Sequence, residues 1–144
     1  MRRRDEGGTA VIEFIWLALL LLIPVVYILI AVFDVQRAAY GTSAASRSAA
    51  RAFILAPDVR TAFGRADRAA SVALGDQDVS GASVRVTCTP TPADCLTPGS
   101  SVRVVVQMTQ PLPLTPQALG DQIAPITVDS THVEPYGTYR EPKQ

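Results

Sequence analysis

The stretch from Phe14 to Phe33 carries no charged residue. As an α-helix rising about 1.5 Å per residue it would span roughly 30 Å, the thickness of the hydrocarbon layer of a bilayer. A single membrane pass is therefore expected before any water-soluble core is considered. A cleaved secretory signal would have a shorter apolar region followed by a small-x-small site. Here Phe33, Asp34, Val35, Gln36 and Arg37 follow the stretch instead, and the segment is expected to be retained. Basic residues resist translocation, so Arg2, Arg3 and Arg4 predict a cytoplasmic N-terminus and an exported C-terminal part; Arg37, Arg47 and Arg51 on the other flank weaken that asymmetry.

Immediately before the apolar run stands Gly7-Gly8-Thr9-Ala10-Val11-Ile12-Glu13-Phe14. A carboxylate at the edge of hydrocarbon is costly unless it is paired or reaches water. On its own, Glu13 fits the first turn of a helix, where the positive end of the dipole favours an anion and the side chain can snorkel outward. The wider pattern, a basic tail, a glycine and then a glutamate inside an apolar segment, resembles the start of type IV pilin precursors. That resemblance implies cleavage by a prepilin peptidase between Gly8 and Thr9, which would make Thr9 the first residue and Glu13 the fifth. It also implies that Glu13 pairs with a freed α-amino group, its own or that of a neighbouring subunit, and so sets axial register.

Among pilin-like families the chain is most similar to the TadE group, over residues 1–56. The matching pieces are Arg2-Arg3-Arg4, Gly8-Thr9-Ala10-Val11-Ile12-Glu13-Phe14, the leucine-rich Leu17 to Leu22, and the Ala/Arg-rich run from Ala44 to Ala52. Pro24 departs from the pattern by sitting deep in the membrane helix, where it removes a backbone hydrogen bond and favours a kink. The acidic-aromatic pair usual at the helix exit stands here as Phe33-Asp34.

Beyond the membrane the helix is expected to continue through the alanine-rich residues 35–55 and to end before Pro57. Ala38, Thr42, Ala45, Ala49, Ala52 and Ala56 recur at 4-3-4-3-4 spacing and line one face as a packing seam. The partner of that seam is another subunit's helix, the chain's own sheet, or each in a different part. A second amphipathic helix fits Asp58 to Leu74, with Val59, Ala62, Phe63, Ala66, Ala70 and Leu74 on one side and Gly75 as its stop. Arg60, Arg65 and Arg68 on its other side are interleaved with Asp58 and Asp67 and lack an aromatic neighbour on that face, which argues for a solvated face and against nucleic-acid binding.

After Gly75 the period changes to two. Val84, Val86 and Cys88 share one face of a strand, and Val102, Val104, Val106 and Met108 one face of the next, giving an antiparallel hairpin. A third strand is expected around 126–133, joined through the proline-rich 111–116 and a short helix at 116–123. In an oxidising compartment Cys88 and Cys95 are expected to form a disulfide that closes a short loop; free thiols are the alternative, and two cysteines with one distant histidine do not make a zinc site. His132 is the only histidine, and Asp129 lies at opposite parity to it on a strand, so the two do not form a dyad. With no phosphate loop, metal-binding helix or carboxylate cluster, neither enzymatic activity nor a cofactor is expected.

The resulting expectation is an α+β chain: a leader over 1–8, a transmembrane and extended helix over 9–56, an exported domain with one helix and a three-stranded antiparallel sheet over 57–134, and a loosely ordered tail over 135–144. The TadE resemblance implies a minor pilin or a membrane-anchored assembly factor of a Tad-type pilus, with other pilin-like subunits, Tad assembly proteins and a prepilin peptidase as partners. The alternatives are a signal-anchored envelope binding protein unrelated to pili and a minor pseudopilin of a secretion system.

Overall fold

The computed structural model describes residues 9–111 and 125–143. It contains helix α1 (Thr9–Ile54), helix α2 (Val59–Gly75) and strands β1 (Ser83–Thr89), β2 (Ser101–Gln110) and β3 (Ile126–Pro135). The strands form one antiparallel sheet in the order β1-β2-β3. This is the α+β fold expected from the sequence. The short helix expected at 116–123 and the leader over 1–8 lie outside the described residues.

Helix α1 runs for 46 residues, about 69 Å at 1.5 Å per residue, with Pro24 inside it. Its upper half packs on α2, β2 and β3, while the residues below Ala38 make no core. Alanine dominates the packed half because only a small side chain lets two backbones approach closely. Thr42 is the polar exception in the seam. Its hydroxyl donates to the carbonyls of Ala38 (3.0 Å) and Ala39 (3.1 Å), so its burial leaves no polar atom unmatched. The chain turns at Leu55 and Ala56, ahead of Pro57, because the residue before a proline is held out of the α region.

Asp58 then caps α2: the Thr61 N–H donates to Asp58 Oδ1 at 2.7 Å and the Thr61 hydroxyl donates to Oδ2. These hydrogen bonds, the hydroxyl's first, hold the Asp58 carboxyl below its ordinary pKa. Ala62, Ala66, Ala70 and Leu74 are buried, and Phe63 meets Phe53 of α1 edge to face, with centroids 5.1 Å apart. Helix α2 ends at Gly75, as expected. The reversal comes at Asp78, whose φ of 53° is left-handed, with the Val79 N–H reaching back to Leu74 O (3.0 Å) and the Asp78 N–H to Gly75 O (3.0 Å). Leu74 and Val79 bury together across that turn. An aspartate occupies the place that glycine usually takes in this motif.

In the sheet, Val84 pairs with Val106, Val86 with Val104 and Cys88 with Val102, as the alternation implies. Val102, Val104 and Val106 are fully buried because β2 is central and its inner face lies on α1. Strand β3 differs: the residues opposite Met108, Val106, Val104 and Val102 are Val128, Ser130, His132 and Glu134, so the inner face of this edge strand is mostly polar.

Residues 135–143 overturn the expectation of a loosely ordered tail. Tyr136 is among the largest fully buried side chains, and its hydroxyl donates to Glu141 O at 2.7 Å. Lys143 Nζ donates to Ala56 O at 2.9 Å and Arg140 Nη1 to Ile54 O at 3.4 Å. The tail folds down because the C-terminus of α1 leaves carbonyls without partners, and cations are favoured at that end of a helix.

Candidate functional site

The candidate site is a surface rather than a cleft: the lower half of α1 and the faces of the head that it carries. From Val11 to Phe33 large apolar side chains are exposed all around the helix, Phe14 by 71% and Trp16 by 69%. One helix of the described chain is long and apolar enough to cross a membrane. Between Glu13 and Asp34 no charged residue intervenes, and their separation along the axis is about 31 Å at 1.5 Å per residue. The two carboxylates therefore bracket a stretch as thick as the hydrocarbon layer.

Glu13 is the fifth residue of α1, and no acidic residue lies in the first turn. The dipole account expected for Glu13 is weakened accordingly, since that effect falls off within one turn. Among the described residues Glu13 has no ion-pair partner. Of the expected processing site, Gly8 lies outside the described residues and Thr9 begins the helix.

The seam is brought together as a continuous buried face. Ala38, Thr42, Ala45, Ala49 and Ala56 are all 0% exposed, and Ala52 is half-buried. The chain's own sheet, one of the two expected partners, lies on this half of the helix, and so does α2, which was not expected there. Arg47 and Arg51 point away into solvent. Arg47 holds the Ser43 hydroxyl at 2.7 Å on the helix's outer face. On α2, Arg60, Arg65, Asp67 and Arg68 are likewise exposed.

Cys88 and Cys95 are joined by a disulfide, with their Cα atoms 5.1 Å apart. The bond ties the end of β1 to a loop whose Leu96 and Ser100 are buried, and the Ser100 hydroxyl donates to Cys95 O at 2.7 Å.

His132 is half-buried on the inner face of β3. Its Nε2 lies 2.9 Å from Glu134 Oε2, and both side chains retain about a quarter to a third of their exposure. Asp129 stands on the opposite face, as parity requires. Nearby, Ser130 Oγ lies 3.3 Å from Ser46 Oγ of α1. Among the described residues, no group of three His, Cys, Asp or Glu side chains converges, and every buried side-chain nitrogen and oxygen has a hydrogen-bond partner.

Sequence reasoning missed Glu134, Tyr136, Arg140 and Lys143. Glu134 was within reach, because two residues along a strand share a face. The tail residues carry no local signal of their role, which depends on where a distant helix ends.

Comparison with known proteins brought no match: no family model, no curated protein and no solved structure matched the chain.

Proposed function

We propose that the chain is a pilin-like, TadE-type subunit of a Tad-type pilus, a minor pilin or a membrane-anchored assembly factor that works by protein contacts and has no catalytic role. The observation that carries this reading is the division of one continuous helix, Thr9–Ile54, into a bare apolar half and a half packed under a small α+β head. That division follows the glycine-to-glutamate motif at its N-terminal end.

In this reading Arg2, Arg3 and Arg4 hold the N-terminus in the cytoplasm and the apolar half of α1 lies in the membrane. The head is exported to an oxidising compartment, for which the Cys88–Cys95 bond is chemically suited. A prepilin peptidase cuts between Gly8 and Thr9. Glu13 then pairs with a freed α-amine at the hydrocarbon edge, where an unpaired carboxylate would be costly. Because the upper seam is filled by the chain's own α2 and sheet, contacts with other pilin-like subunits and with Tad assembly proteins fall to the bare half of α1 and to the outer surface of the head.

Replacing Glu13 with leucine in the native host tests the proposal. The expected result is loss of surface pili with the protein still present in the membrane fraction. Unchanged pilus number would contradict it.

A further inference from the structure

Three groups of contacts meet at the upper end of the head. The disulfide holds Cys95, and the residue after it, Leu96, accepts the Lys143 N–H through its carbonyl at 2.9 Å. Ser100, whose hydroxyl is fixed to Cys95 O at 2.7 Å, accepts the Tyr136 N–H at 2.9 Å. The same tail reaches the end of α1 through Lys143 Nζ on Ala56 O and Arg140 Nη1 on Ile54 O. It closes on itself through the Tyr136 hydroxyl on Glu141 O, with the Arg140 guanidinium 5.5 Å from the Tyr136 ring centroid.

Of the two backbone bonds that seat the tail on the loop, one falls at Leu96, next to the bonded Cys95, and the other at Ser100, where the loop enters β2 beside the Ser101–Pro135 pair. The two cysteines are in turn sealed from solvent, Cys88 being 4% and Cys95 1% exposed. The loop is a dock that the disulfide holds in shape, and the tail is seated beside the buried bond. Two local equilibria that share contacts are coupled, and the coupling is reciprocal.

We infer that residues 136–143 form a redox-dependent clasp: the Cys88–Cys95 bond holds the loop on which the tail docks, and the docked tail shields the bond from thiols. The clasp is independent of the pilus reading, since it needs only the contacts within the head. Opening it by a dithiol such as dithiothreitol balances simply. One S–S bond breaks, two cysteine thiols form, and the dithiol supplies two electrons and two protons as it closes into its own cyclic disulfide. Once open, the loop loses the closure that fixed Leu96 and Ser100, and the tail loses its seat while α1, α2 and the sheet keep their own core.

Hydrogen exchange on the full chain in detergent micelles, before and after dithiothreitol, tests this. The amides of Tyr136 and Lys143 should exchange at least about tenfold faster after reduction and lose most of their protection, while those of Val104 and Ala50, although faster too because loss of the bond lowers global stability, stay protected. Retention of the tail's protection after complete reduction would overturn the clasp, and so would simultaneous loss at all four amides, because the tail would then respond only to global unfolding. The reciprocal arm uses an Arg140→Ala/Lys143→Ala double variant in the oxidised state. Its disulfide should be reduced severalfold faster than that of the parent chain, with an Arg60→Ala control unchanged. Equal rates in the double variant and the parent would overturn the shielding half.

Discussion

The two halves of α1 share one backbone and solve opposite problems. Below Ala38 the helix shows large apolar side chains in every direction, and nothing in the described chain covers them. Above it, one face is built of Ala38, Thr42, Ala45 and Ala49, all fully buried, and arginines occupy the other. Large apolar groups all round suit a solvent that is itself apolar, where bulk on any side is welcome. Small groups on one face suit a packed protein interior, where the neighbour is a second helix at close approach. The helix is continuous through the boundary, so the change is one of environment rather than of secondary structure.

A charge placed in the middle of the bare half should have the largest effect. Leu22→Arg is expected to disfavour insertion by about 3 kcal/mol. Extraction of membranes with alkaline carbonate should then release most of the chain, whereas wild type stays with the lipid.

Removing the disulfide tests the head alone. Cys88→Ser with Cys95→Ser should lower head stability by about 2–3 kcal/mol in thermal or denaturant unfolding, the loop-closure value for so short a loop, and leave insertion unaffected.

Ala49→Leu and Leu20→Ala sharpen the contrast between the halves. The first forces bulk into a filled seam and should destabilise the head by about 1–3 kcal/mol, while the second, on an exposed site, should leave the head's unfolding midpoint where it was.

The smallest effect concerns Asp58 at the start of α2. Its folded pKa lies below the ordinary value, so the stability it contributes is fully present above the unfolded value of about 3.9 and is lost as pH falls through the folded one. The advantage of wild type over Asp58→Ala in melting temperature should therefore hold near neutrality and shrink in acid. A gap that widens on acidification would reverse the assignment.

Much of this architecture was legible from residue order because each part obeys a period. The seam follows helical spacing, and Val102, Val104 and Val106 follow the alternation of a strand. Strand β3 was harder, because its inner face carries Ser130, His132 and Glu134 and so lacks the apolar signal that marks a buried side. The end of α2 at Gly75 was legible, but the left-handed turn that follows is made by Asp78, and aspartate does not announce a reversal as glycine does. The tail was misread for a different reason. Lys143 and Arg140 are useful only where carbonyls of α1 wait for them 87 and 86 residues earlier in the chain, and no local pattern encodes such a meeting. Of the functional residues proposed, Glu13 was visible from its charge alone, set between apolar neighbours.

The account turns on whether the chain is processed at its N-terminus. Intact mass combined with N-terminal sequencing of protein purified from its native membrane decides this most directly. A mature chain beginning at Thr9, with a free α-amine available to Glu13, is the predicted result. A chain that still carries Arg2 to Gly8 would contradict the amine-pairing role of Glu13.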